Sequence, residues 1–285
     1  MTFNEFIEVT LLAVVQGIAE FLPISSSGHL VVLGKLFERW LGDPLAKEKE
    51  NIVLNLTLHA GTLAAILVVY RKDLWGIWRR PKLCLAVVLA TIPATLAYAL
   101  LKKYVEATFE KPIVVACGWL VTAALLWYAP RAHRGNRPLA ELTLLDALKI
   151  GCFQAVSLVF RGVSRSGSTI SGGLFTGLSR EAATEFSFLI AIPAIAGGAI
   201  LGFVLPLAKA LFRGASLTAT GTELLGGYSP LALLLGGLIS FIVGLISLRW
   251  LLKIVVRRGL DGFVYYVLTA SLLTFAWQGY EYFTK

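Results

Sequence analysis

Charge is scarce in this chain. Only 15% of its 285 residues are Asp, Glu, Lys or Arg, while 57% are hydrophobic. With a mean hydropathy of +0.76, this excludes an ordinary soluble domain and fits a polytopic membrane protein. Cysteine is nearly absent: Cys84, Cys117 and Cys152 stand alone in apolar segments. That excludes a disulfide framework or a metal-binding spacing and predicts three small buried hydrophobes. The first ten residues carry Glu5 and Glu8 and no basic stretch, so they do not read as a cleaved signal peptide. The net charge of +9 comes from Lys and Arg clustered in short loops between apolar runs, so it predicts no nucleic-acid partner.

A helix crossing the hydrocarbon core needs about 20 apolar residues. Residues 51–70, 83–100, 112–129, 184–208, 229–255 and 263–281 meet or approach that length. Residues 6–38 and 143–180 are each two short apolar runs broken near the middle. They predict re-entrant helix-loop-helix hairpins, since irregular backbone at that depth is tolerated only where protein buries it or it lines a cavity. Arg71, Lys72, Arg79, Arg80 and Lys82 make one loop basic. Arg131, Arg134 and Arg137 do so for a second, and Lys253, Arg257 and Arg258 for a third. These loops are expected to be cytoplasmic, and those at 39–50, 102–111 and 209–227 to face outward. The fold class expected is therefore an all-α polytopic membrane protein, one membrane domain over 1–285. It would have six transmembrane helices plus two re-entrant hairpins in an inverted-topology repeat, 1–130 and 131–285. Inverted repeats bring broken helices together near the midplane.

Both breaks carry the same element. A Gln (Gln16, Gln154) ends an apolar run, and a Ser-x-Ser-Gly tetrapeptide (Ser25–Gly28, Ser164–Gly167) opens the next. Polar and ionisable groups at that depth are a functional-site hypothesis by default. Serines 25, 26, 27, 164 and 166 stand at helix starts, where free N–H groups favour an anion. Gly28 and Gly167 would let a ligand approach the backbone, and Arg165 can grip phosphate with two parallel hydrogen bonds. Ser26 and His29 are three residues apart and can share a helix face as nucleophile and base. Glu20, with Gln16 four residues before it, can hold a divalent cation or act as general base. Thr169 closes the second motif. His59 and His133 receive no role, and Arg180 reads as an interfacial anchor. Trp75, Trp78, Trp119, Trp127 and Trp250 read as interfacial belt residues, and Gly197 and Gly198 as helix packing.

These motifs resemble the bacitracin-resistance type of undecaprenyl-diphosphate phosphatase. That family shows (E/Q)-G-x-x-E-F-L-P-[IV]-S-S-[TS]-G-H and P-G-x-S-R-S-G-x-T; this chain has QGIAEFLPISSSGH at 16–29 and RGVSRSGST at 161–169. The resemblance implies hydrolysis of undecaprenyl pyrophosphate at the outer face of the plasma (inner) membrane, recycling the lipid carrier of cell-wall synthesis. It implies a divalent cation, magnesium or calcium, at Glu20, and a homodimer among its assembly states. Glu20, Ser26, His29 and Arg165 match the family's essential residues. Gln16 stands where many members have Glu, and Arg161 where they have proline. The residues leave open whether Ser26, His29 or a metal-activated water attacks phosphorus. A rival reading is a transporter or flippase of a lipid phosphate or small anion, which does not need Ser26 with His29 and Glu20.

The charge pattern yields a topology test. A cysteine introduced at Asn136 in a cysteine-free background should be protected from a membrane-impermeant thiol reagent added outside spheroplasts. Labelling there would overturn the inverted repeat.

Overall fold

The computed structural model describes residues 2–41, 50–108, 111–132, 135–205, 208, 212 and 227–284. The expected outward loops 39–50 and 209–227 fall mostly outside the described residues, as do His133 and Arg134. Helices follow one another as α1 (Phe3–Ala19), α2 (Ser26–Leu41), α3 (Glu50–Val69), α4 (Arg71–Ile77), α5 (Pro81–Thr108), α6 (Pro112–Ala132), α7 (Leu144–Val159), α8 (Arg165–Phe175), α9 (Arg180–Ala199), α10 (Pro230–Arg258) and α11 (Asp261–Thr284). Among the described residues no strand forms.

Local chemistry sets the helix starts. Thr2 with Glu5 and Thr143 with Asp146 form capping boxes that open α1 and α7, the first helices of the two broken regions. Ser164, Ser179 and Ser229 cap α8, α9 and α10 by accepting a backbone N–H. Pro81 and Pro112 stand at the first positions of α5 and α6, where the missing N–H costs nothing.

Four helices, α5, α6, α9 and α10, are long and apolar enough to cross a membrane. The pair α3–α4, bent by 76°, makes a fifth candidate. α11 has 24 residues, about 36 Å at the helical rise, but is less apolar. The outward helix faces are apolar as well as the core. Leu85, Val88, Ile92, Leu96 and Leu100 are exposed along one face of α5, and Leu231, Leu234, Leu238, Ile242 and Ile246 along one face of α10. Apolar stripes of this length face lipid. Ser240, Ser271, Thr62, Thr122 and Gln154 are buried instead. Ser240 Oγ donates to Leu58 O and Ser271 Oγ to Ala116 O, tying α10 to α3 and α11 to α6. In lipid such bonds contribute on average about 0.6 kcal/mol each.

α1 packs on α10 and α7 packs on α5. Small residues bring these pairs together. A Cβ on Gly17 would lie 2.8 Å from Val243, and one on Gly151 2.5 Å from Ala90 O. Gly197 and Gly198 do not pack in this way: among the described residues nothing lies within 4 Å of where their Cβ atoms would be. The cysteines also depart from expectation. Cys117 and Cys152 are exposed and Cys84 is half-buried, because outward helix faces in this chain are apolar too. Trp75, Trp78, Trp127 and Trp250 are exposed, but Trp119 is 2% exposed and lies in the core.

Gly118 is the closest approach of α6 to the second break. Its Cβ would sit 2.2 Å from Arg161 O. Gly118→Ala should therefore lower the melting temperature in detergent by several degrees, whereas Gly197→Ala should leave it unchanged or raise it. Scanning fluorimetry of the two variants decides, and equal melting temperatures would refute the packing assigned to Gly118.

Candidate functional site: two helix breaks sharing one carboxylate

The first break begins where α1 runs out. Glu20 keeps helical geometry and its N–H bonds Gln16 O. Pro23 cannot continue the ladder, and Ser25 takes φ +70°. A non-glycine residue in that region costs on the order of 1 kcal/mol and marks a site held by its surroundings. α2 then starts at Ser26. The second break turns at Gly162, φ +88°, where a Cβ would meet Val115 O at 2.2 Å.

The two helix starts are built alike. Gly28 N–H donates to Ser25 Oγ at 3.2 Å, and Gly167 N–H to Ser164 Oγ at 3.1 Å. Ser25 and Ser27 hydroxyls lie 3.3 Å apart, and those of Ser164 and Ser166 3.2 Å. In this register Ser26 is the counterpart of Arg165. Space beside both glycines is filled by protein: Val115 and Trp119 lie against Gly28, and Ser164 and Pro23 against Gly167.

Glu20 joins the breaks. Its Oε1 accepts from the Arg165 guanidinium at 2.8 Å, and its Oε2 from Ser26 Oγ at 2.7 Å and Gln16 Nε2 at 3.1 Å. Ser26 and Arg165, equivalent in the two elements, thus hold opposite oxygens of one buried carboxylate. Ser166 Oγ donates to Leu22 O across the same seam. α6 braces both turns. Trp119 Nε1 donates to Ile24 O at 2.9 Å, while Thr122 Oγ1 bonds Gly162 O and accepts from Ser164 N–H. On the far side of Arg165, Ser187 O accepts from the guanidinium, and the Ser187 hydroxyl lies 2.6 Å from that of Thr169.

Of the residues the sequence singles out, Gln16, Glu20, Ser26, Arg165 and Ser166 converge directly. Ser25, Ser27, Gly28, Ser164, Gly167 and Thr169 shape the turns and helix starts around them. His29 does not bond Ser26. Its Nδ1 is 2.8 Å from Ser25 O and its Nε2 2.8 Å from the Tyr266 hydroxyl. Four contributors escaped the sequence reading. His59 on α3, given no role, has Nε2 3.6 Å from Glu20 Oε2; an ionisable residue inside an apolar span was the signal available. Trp119, read as a belt residue, clamps the first break. Tyr266 and Ser187 carry no sequence signal.

Chemically, a serine hydroxyl hydrogen-bonded to a buried carboxylate is a nucleophile beside a base. An arginine paired with that carboxylate is a ready anion clamp. An incoming phosphate can exchange for Glu20 on Arg165, freeing the carboxylate for proton transfer. The cluster Glu20, Arg165 and Ser26 therefore suits a phosphoryl group approaching from the seam between the breaks.

The chain is similar to known proteins over nearly its whole length. The chain is 37% identical to an undecaprenyl-diphosphatase of Rhodopirellula baltica over 271 residues, 95% of this chain and 97% of that protein. It is 37% identical to undecaprenyl-diphosphatase 1 of Corynebacterium jeikeium over 292 residues, 98% and 96% of the two chains. Undecaprenyl-diphosphatase 4 of Bacillus cereus strain E33L is 34% identical over 275 residues, 96% and 97%. The family model described as bacitracin resistance protein BacA matches residues 9–273. With the family model matching nearly its whole length, the chain belongs to the BacA family.

Proposed function

We propose that this protein hydrolyses undecaprenyl pyrophosphate to undecaprenyl phosphate and inorganic phosphate. It thereby recycles the lipid carrier of cell-wall synthesis and confers bacitracin resistance. The observation that carries the reading is the shared carboxylate: Glu20 bound by Ser26 on one oxygen and Arg165 on the other. The prenyl tail lies in the bilayer against the exposed apolar helix faces, and the pyrophosphate enters the seam. Arg165 binds the phosphate oxygens. Ser26 Oγ attacks the terminal phosphorus and passes its proton to Glu20. The bond from that phosphorus to the bridging oxygen breaks, and the lipid monophosphate leaves with the bridging oxygen. Glu20 gives that proton to the departing monophosphate, then deprotonates the water that attacks the phosphorus held on Ser26, and returns the proton to Ser26 Oγ as inorganic phosphate is released. The 2.7 Å Ser26–Glu20 bond favours this serine over His29, whose Nε2 faces Tyr266.

A divalent cation, magnesium or calcium, is part of the proposal. Among the described residues no three His, Cys, Asp or Glu converge on a metal position. Gln16 Oε1, however, is buried without a hydrogen-bond partner, and with Glu20 it supplies two oxygen donors. Hard cations at phosphate sites are often held by one or two protein ligands, with substrate oxygens and water completing the shell. When bound, the cation would neutralise phosphate charge. The proposal further places six spans and two re-entrant hairpins in the inner membrane, as inverted repeats 1–130 and 131–285 with the site facing outward. The matching capping boxes of α1 and α7, and the crossed packing of α1 on α10 and α7 on α5, support that repeat. A homodimer is proposed on family resemblance.

The direct test is phosphate release from a prenyl pyrophosphate by purified protein, with and without chelator; no release under either condition would overturn the reading. Glu20→Gln and Ser26→Ala should each lower kcat by about a hundredfold or more. The double variant should be little worse than the worse single one, since the pair acts as a unit. Near-normal turnover by Ser26→Ala would transfer the attack to water or His29.

The second motif gives a contrasting pair. Arg165→Lys keeps the charge and loses the fork, so it should remain impaired by about tenfold or more. Phe160 is extended, φ −105° and ψ 107°, the geometry favoured before proline. Arg161→Pro should therefore fold and retain substantial activity. An inactive Arg161→Pro beside a near-normal Arg165→Lys would reverse the two roles.

A further inference from the structure

We propose that Tyr266, on α11, is the positioning residue of His29. The proposal rests on His29, which matches one of the family's essential residues, belonging to the phosphatase machinery in a role other than the attack on phosphorus. His29 Nδ1 lies 2.8 Å from Ser25 O. A carbonyl can only accept, so Nδ1 carries the hydrogen and donates. In the neutral ring the lone pair is then on Nε2, and the group 2.8 Å from it is the Tyr266 hydroxyl. The phenol therefore donates to Nε2. The two rings stack with centroids 5.6 Å apart and planes within 14°, and Trp119 meets the imidazole edge-on at 4.9 Å. His29 is thus fixed at both nitrogens and packed by two aromatic rings, and turning it requires breaking both hydrogen bonds.

Of the two nitrogen partners, Ser25 O cannot exchange a proton. The Tyr266 hydroxyl is, among the described residues, the group through which His29 can pass or receive one. Tyr266 is 47% exposed, so the residue stands at the edge of the protein rather than in the core. The tie also crosses the molecule: a histidine of the first motif is set by the last helix, 237 residues away in sequence. Neither motif contains Tyr266, which makes α11 a working part of the site and not only a membrane anchor.

Tyr266→Phe keeps the stacked ring and removes only the hydroxyl, so it should fold. Misorienting one catalytic group is costly, and kcat should fall by about tenfold or more with KM changed less than about twofold. A merely structural role would not move a second readout, histidine nitrogen NMR of protein labelled at its three His. The His29 resonance is assigned by its loss in His29→Ala. In Tyr266→Phe the Nε2 signal should move toward that of an unbonded ring nitrogen, with Nδ1 still protonated. An unchanged spectrum overturns the proposal, and so does a shifted spectrum with kcat within about twofold of the parent. Full activity of His29→Ala would overturn instead the premise about His29, and it is distinguishable because the spectra are recorded without substrate.

Discussion

A carboxylate buried in a membrane protein is tolerable only if its charge is answered, and Glu20 is the point on which this structure turns. Its partners come from α1, α2, α3 and α8, so satisfying one side chain fixes how both broken helices meet. Breaking a buried ion pair by removing one member costs about 3–5 kcal/mol. The Arg165–Glu20 contact therefore ties the second break to the first, since losing either member would strand the other's charge. The same contact neutralises the two charges against each other. Fold and chemistry thus depend on one interaction.

The surroundings hold that interaction in place by unusual means. A soluble protein would keep its outward helix faces polar. Here the outward faces of α5 and α10 are aliphatic, and hydroxyls, amides and glycines fill the seams. Helix association then relies on close backbone approach and on side-chain bonds to carbonyls. α6 is the clearest case. Gly118 allows it to touch the second break, Thr122 bonds that break, and Trp119 reaches back to the first. A single helix thereby sets the spacing of two turns that are about 140 residues apart in sequence.

Equivalent positions have diverged in use. The two elements share capping serines and glycines, yet Ser26 offers a hydroxyl where Arg165 offers a guanidinium. The two helix starts face one place, and unlike side chains at the matched position put a hydroxyl on one oxygen of Glu20 and a guanidinium on the other. The strain is also placed unequally: the first break holds a serine at positive φ, and the second uses a glycine.

Much of this was legible in the amino-acid order. Hydropathy marked the four helices long and apolar enough to span, α5, α6, α9 and α10, whereas the basic runs at Arg71 and Lys72 and at Lys253, Arg257 and Arg258 fell inside helices rather than in loops. The Ser-x-Ser-Gly repeats located both breaks and Glu20, Ser26 and Arg165, because polar groups at membrane depth have no reason to be there without a partner or a task. What composition cannot encode is which partner each group finds. Sequence spacing put His29 beside Ser26, but the fold gave Ser26 to Glu20 and His29 to Tyr266. Trp119 looked like an interfacial tryptophan until packing buried it, and His59 looked like an ordinary span residue until α3 laid it against Glu20. Cys117 and Cys152 look buried by hydropathy alone, since that scale cannot tell a lipid-facing side from a core-facing one. The sequence by itself determined that two polar breaks exist in an apolar chain; only the tertiary structure decided that they share one carboxylate, because such contacts join residues too distant in the chain for any local pattern to record them.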